Sequence, residues 1–387
     1  MTLELSGLAE QVRAMGQQLA VREQEYADLV AQARLWLAQY ADQGESLCHP
    51  ARNFHAAIPT QEPLDAEHPL PTVPERFTFI AADGTEIQPD SHELAYYYLI
   101  NVGCLVYRHG SGQTPEAYSQ PTIGYAEDDI YDRGQLVAGN LLDIKRDLAE
   151  ITTLAERCVA ESPDATTVAV VDGTLIMWTL ADASPDYQRE KAQVYIQQLD
   201  HIRDSGAVVA SFISRPQRSE VTRLLYLASE NGDVERARNS DHRMKRLPDY
   251  AVFETLAPGA RSALFVSPSP INHAYYASAH TIHFFYLNLA AEGSAPAVAR
   301  IEVPSWVAED ADRLALVHGA IVAQARITGD YPYALVRADE LAFISGPERE
   351  ALEDMVIASL VRAGVRTALS PKKYYKTLTR QGKRKFR

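Results

Sequence analysis

A chain of 387 residues, 46% hydrophobic and 23% charged, is long enough to bury its own core, which excludes a disordered protein and a small stapled scaffold. Cys48, Cys104 and Cys158 stand in separate contexts with no CxxC pair, which argues against a disulfide framework or a cysteine-built metal site and fits the cytoplasm. The net charge of −14 excludes a body coated in phosphate-binding surface, yet the stretch from Lys372 to Arg387 carries eight basic residues and no acid. An acidic body with a basic tail is compatible with nucleic-acid work confined to one groove and one arm. The first residues do not form a signal peptide, and no apolar run approaches the roughly 20 residues needed to span a bilayer, so a soluble protein is expected.

In chain order, Leu5, Leu8, Val12, Met15 and Leu19 recur at helical steps and predict a helix over residues 3–42. Prolines 50, 59, 63, 69, 71 and 74 then predict a connector in which no helix continues. Strands are expected at 77–84 and 96–108, with a weaker one near 120–125. A helix follows over 133–161, a buried strand at 166–173, a helix at 187–204, a buried strand at 207–214 and a helix at 216–231. Further strands are expected at 262–267, 280–288 and 298–303, and helices at 308–328 and 336–346. Three strands, then helix, strand, helix, strand, helix is the order of the ribonuclease H-like fold. The expected class is therefore α/β, an RNase H-like mixed sheet with flanking helices and an N-terminal helical arm. The expected division is an arm at 1–48, a proline-rich connector at 49–75, a catalytic domain at 76–346, and a C-terminal helix and basic tail at 347–387.

Two segments share one shape, Ile80-Ala81-Ala82-Asp83-Gly84-Thr85 and Val170-Val171-Asp172-Gly173-Thr174. Each reads as an apolar strand whose last side chain is a carboxylate, followed at once by glycine. A strand end fixes a carboxylate rigidly, and glycine lets the backbone turn and a ligand approach. Oxygen ligands of this kind suit hard divalent ions such as Mn²⁺ or Mg²⁺, and carboxylates that hold metal need to be ionised and need no raised pKa. A lone Asp-Gly pair is commonly a plain turn; the repetition behind two apolar strands is what points to chemistry. His283, in the apolar TIHFFYL, reads as a core histidine rather than a ligand.

FIAADGTEI, KRDLAEITTLAE, TVAVVDGTLI, VVASFISRPQRSEV and YPYALVRADELAFIS, in this order and spacing, resemble the NurA family of nucleases. The resemblance implies an RNase H-like core, a two-metal site favouring Mn²⁺ and a homodimer. It also implies a DNA substrate cut as a 5′–3′ exonuclease, with single-strand endonuclease action beside it, and a HerA-type hexameric ATPase as partner in DNA end resection and repair. Carried over by residue, it assigns metal binding to Asp83 and Asp172. The third acid, in an R-x-x-x-E setting, is Arg146 with Glu150, with Glu156 the competitor. In the late motif it assigns Tyr331 and, eight residues on, Asp339, where other members carry an acid or a histidine. Arg146, Arg215 and Arg218 are candidate contacts to DNA phosphate, since the guanidinium fork suits phosphate.

No GxxxxGK[ST] loop is present, so a motor would be a separate protein. A metal-free carboxylate-pair glycosidase is a rival, but the three tryptophans do not flank the Asp-Gly-Thr motifs. A second rival is an RNase H-like scaffold that binds DNA or a partner without catalysis.

Overall fold

The computed structural model describes residues 6–90, 95–161, 166–276 and 278–364; the basic tail from Lys372 lies outside them. In chain order the elements used below are α1 (Ala9–Gln39), α2 (Gly44–Phe54), β1 (Ile58–Pro59), β2 (Phe77–Ile87), β3 (Tyr98–His109), β4 (Glu116–Gly124), α3 (Asn140–Ala160), β5 (Thr167–Asp172), α4 (Pro185–Asp204), β6 (Val208–Ser214), α5 (Glu220–Ser229), β7 (Phe265–Val266), β8 (Ile282–Asn288), β9 (Val298–Pro304), α6 (Ala311–Thr328), α7 (Tyr333–Ala342) and α8 (Gly346–Arg362). The described order β2-β3-β4-α3-β5-α4-β6-α5 is the one expected from the sequence. Among the described residues no helix is long and apolar enough to cross a membrane.

The chain divides into two compact units, one of residues 1–74, 173–176 and 208–333, the other of residues 75–172, 177–207 and 334–387. In the first unit β1, β7, β8, β9 and β6 form an antiparallel run in that order. Its core joins Val30 of α1, Leu47 and Phe54 of α2, Leu224 of α5 and Phe265, Phe284 and Tyr286 of the sheet. Along α1 the apolar stripe is only partly used: Val30 and Ala33 are buried, whereas Val12, Met15 and Leu19 are half exposed. Pro50 lies inside α2 rather than ending it. The ring leaves the Ser46 carbonyl without its helical donor, and Ser46 is exposed, where water meets that need. The expected strand at 262–267 is two short pairings, Arg261–Ser262 and Phe265–Val266.

Buried charge organises this unit. Arg300, 2% exposed, lies between Glu220 (2.6 Å) and Glu302 (3.0 Å) with its guanidinium over the Phe284 ring. The fully buried Asp249 accepts the N–H groups of Glu220, Val221 and Thr222 at 2.8–3.0 Å, the orphan donors of the first turn of α5. The Tyr286 hydroxyl donates to the same carboxyl at 2.9 Å.

In the second unit β5 pairs parallel to β2, and β2, β3 and β4 follow antiparallel, which makes this sheet mixed. Thr167 to Val171 are buried, with α3 packed on this sheet and α4 on α3. Asp249→Ala is expected to destabilise the protein by about 3–5 kcal/mol, since it strands three buried N–H groups and a hydroxyl. Urea unfolding measures it; a loss below about 1 kcal/mol contradicts the assigned role.

A carboxylate cluster as candidate active site

Parallel pairing of β2 with β5 runs from Thr78↔Thr167 to Ala82↔Val171, so Asp83 and Asp172 each follow directly on the last paired residue. Neighbouring strands lie about 4.8 Å apart, which puts the two carboxylates side by side. β5 ends at Asp172, and Gly173 leaves it with a left-handed φ of 94°. Asp83 departs from expectation: β2 continues to Ile87 through full pairing with β3, so Gly84 is no turn.

Gly84 has another reason to be glycine. A Cβ there would lie 2.5 Å from Glu150 Oε1 and 2.8 Å from Arg146 Cγ. The missing side chain lets α3 lay Glu150 against the strand. Directly across from Asp83 stands Gly103, whose added Cβ would overlap the Ala338 carbonyl oxygen and come within 2.8 Å of the Leu341 carbonyl carbon. Here the backbone of α7 rests on β3. Asn101 holds that contact by donating to the Leu341 and Ala342 carbonyls at 3.1 and 2.9 Å, and the Ser119 hydroxyl donates to Asn101 at 3.0 Å. Cross-strand partners share a face and successive residues alternate, so Asp83 faces α7 while Gly84 faces α3.

That placement brings Asp339 of α7 to Asp83, and the two side chains hydrogen-bond. Burial first, then the charges of Asp172 and Asp339, push the Asp83 carboxyl up to about 6 against the pull of the Gly84 N–H. Glu150, 8% exposed, is driven well above the usual carboxylate range by burial and by Asp147, with Asp83 and Asp172 adding to it. Both acids therefore carry raised pKa values when no metal is bound.

Arg146 is the counter-charge. It meets Glu86 at 2.8 Å, Glu150 at 3.3 Å and both Asp143 and Asp147 at 3.5 Å. Burial works against its charge, and Glu150 with the other acids outweighs that, so the guanidinium stays protonated. Asp147 also accepts the Thr179 hydroxyl at 2.9 Å. Glu156, the competitor for the third-acid role, is exposed.

Asp83, Arg146, Glu150, Asp172 and Asp339 thus share the second unit. Tyr331 and Arg215 are in the first, where both line a cavity of about 420 Å³. There Tyr331 packs edge-on to Phe212 at 4.9 Å, and Arg215 holds a left-handed backbone (φ 46°) just past β6. Arg218 belongs to the first unit too, and its carbonyl accepts the Asp249 N–H. Sequence reasoning missed Asp147, Glu86 and the Asn101–Ser119 pair. Asp147 was findable as the acid one turn before Glu150; nothing in the sequence marks Asn101.

The all-oxygen donor set suits a hard divalent cation. Among the described residues no three His, Cys, Asp or Glu side chains converge closely enough to hold an ion. To take one, the Asp83 carboxyl must ionise and Glu150 must exchange Arg146.

The chain belongs to the NurA family, since the profile of the NurA domain matches residues 77–344. Among solved structures it is similar to the NurA nuclease from Sulfolobus solfataricus, at 14% identity over 91% of this chain and 98% of that one, with a TM-score of 0.45. It is also similar to the C-terminal lobe of a budding yeast Argonaute, at 11% identity over 69% and 46% of the two chains (TM-score 0.30). The type 1 RNase H called LC9-RNase H1 follows at 10% identity over 46% and 87% (TM-score 0.20). No curated protein sequence matches the chain.

The raised Asp83 pKa makes a signed prediction. Its folded value of about 6 exceeds the unfolded value of about 3.9, so the metal-free protein loses stability as pH rises from about 4 to about 6. In chelator, Asp83→Asn should melt a few degrees above wild type at pH 8, with the gap closing toward pH 4. Equal melting temperatures at pH 8 count against the repulsion.

Proposed function

We propose that this protein is a divalent-metal-dependent nuclease that hydrolyses phosphodiester bonds in DNA, with Asp83, Asp172, Glu150 and Asp339 holding the metal. The observation that carries the reading is the Asp83–Asp339 contact beside Asp172, a gathering of acids inside the matched NurA domain. Divalent ions held there, in a two-metal site, would polarise the phosphate and lower the pKa of the attacking water. Mn²⁺ is the proposed ion, with Mg²⁺ in second place.

The chain's own residues supply position and charge. Asp83 and Asp172 are fixed by the sheet, Glu150 by the gap at Gly84 and Asp339 by the seat of α7 on Gly103. Arg146, once exchanged from Glu150, is placed to meet a DNA phosphate. Arg215, Arg218 and Tyr331 are proposed to contact the DNA strand, Arg215 and Tyr331 from the cavity they share. The family resemblance extends the proposal to 5′–3′ polarity, DNA end processing with a HerA-type hexameric ATPase, and a homodimer that uses the exposed apolar face of α1.

Labelled linear DNA incubated with Mn²⁺, with Mg²⁺ and with chelator tests the reading. Cleavage is expected with metal only, and Asp83→Ala or Asp172→Ala should lower it by several orders of magnitude in a folded protein. Wild-type rates in Asp172→Ala end the proposal, and DNA binding without cleavage under every metal condition points to a scaffold. Asp339→Asn should cut the rate less and raise the Mn²⁺ concentration needed; an unchanged metal titration removes Asp339 from the ligand set. Light scattering should give about twice the monomer mass at micromolar protein, and a strict monomer argues against the homodimer.

A further inference from the structure

The repeated Asp-Gly-Thr triplet lends only its aspartates to the proposed chemistry, and its two threonines are placed differently. Thr85 lies inside β2, paired with Asn101 of β3. Thr174 stands past the end of β5, two residues after Asp172. Gly173, between them, has a left-handed φ of 94°. Glycine gives the backbone more freedom than any other residue, so a rigid Asp172 needs a hold on the segment that follows.

That hold is present. The Gly173 N–H donates to the Phe212 carbonyl at 2.9 Å. The Thr174 hydroxyl donates to Glu302 Oε2 at 2.7 Å and accepts the Ile176 N–H at 3.0 Å. The Leu175 N–H donates to the same Glu302 oxygen at 3.0 Å, and the Leu175 carbonyl accepts the Tyr276 hydroxyl at 2.7 Å. Leu175 and Ile176 are buried, so water does not replace a bond lost here. The one hydroxyl joins the turn to itself through a lone pair and to β9 through its proton.

Glu302 is a firm base for this bond. It is 2% exposed and sits within β9, paired with Phe284 of β8 and Ser211 of β6. Its other oxygen, Oε1, accepts from Arg300 Nε at 3.0 Å. With both oxygens engaged, the carboxylate cannot turn from Thr174 without breaking its contact with Arg300. Only Gly173 separates Thr174 from Asp172, so a shift of the threonine reaches the strand-end acid along the backbone.

We propose that Thr174 and Glu302 are positioning residues for Asp172, with the Thr174 hydroxyl as the link that fixes the direction of its carboxylate. The inference rests on the reading of Asp172 as a metal ligand. Partners behind a ligand set its orientation, and losing one typically costs about 10- to 100-fold in metal affinity. The test follows Mn²⁺ binding to the full-length protein, without DNA, through the electron paramagnetic resonance signal of the free ion. Thr174→Val keeps the side-chain shape without the hydroxyl and should weaken binding about tenfold. Thr174→Ser keeps the hydroxyl and should stay within about twofold of wild type. Thr174→Ala serves in place of the valine variant if melting in chelator shows the latter unfolded. Thr222→Val is the control: it removes a buried hydroxyl that donates to the Leu247 carbonyl at 2.7 Å. It should lower the melting temperature and leave the Mn²⁺ titration unchanged. Wild-type affinity in a folded variant without the Thr174 hydroxyl overturns the proposal. Equal weakening by Thr222→Val also overturns it, because the cause would then be a loosened fold, and so does a serine variant as weak as the valine one. A wild type that binds no Mn²⁺ removes the metal reading of Asp172 itself, an outcome distinct from failure of the link alone.

Discussion

Helix backbone and acid side chains reach the second sheet only where it has no side chains of its own. Gly103 lets the backbone of α7 settle on β3, and Gly84 lets the Glu150 carboxylate lie against β2 from the other face. From these two gaps follow the Asp83–Asp339 contact, the burial of Glu150 and the need for Arg146 as resident cation. The acids would otherwise spread into water. The sheet holds them together out of water, so burial first and mutual repulsion second appear as raised pKa values.

Buried acid is met by donors in the first unit, although burial still pushes the Asp249 carboxyl up to about 6. Asp249 takes three backbone N–H groups and a tyrosine hydroxyl, and Glu220 and Glu302 share Arg300. Glu302 also accepts the Thr174 hydroxyl at 2.7 Å and the Leu175 N–H at 3.0 Å. Every lone pair of consequence finds a donor there, so the network is closed and structural. The Asp83 cluster lacks such closure. The contrast separates two uses of one residue type more sharply than burial does, since Asp249 and Glu150 are both buried.

Periodicity and composition made much of this legible in the sequence. The unalternating TTVAVV and VVASFIS segments read as buried strands, and both form strands buried along most of their length. Asp172 could be read as a strand-end acid because its strand stops there. Asp83 could not be placed so simply. The same Asp-Gly-Thr letters sit inside a long strand, since pairing with β3 overrides the turn preference of Asp-Gly. Pro50 misled for a similar reason: an exposed carbonyl one turn back makes proline tolerable within a short helix. The Asn101 tether was invisible because its partners are backbone carbonyls 240 and 241 residues away, and no residue type announces them.

That tether reaches to the rim of the sheet. Ser119 sits on β4, the outermost strand, and its hydroxyl leads through Asn101 to the last turn of the helix that carries Asp339. An outermost strand is held on one side only and is the first to peel away under tension. Peeling of β4 would take only the Ser119 hydroxyl from the Asn101 amide oxygen, while Asn101 itself, on the inner strand β3, keeps both of its donations to α7, so the helix that carries Asp339 stays tied to the sheet when the rim strand frays.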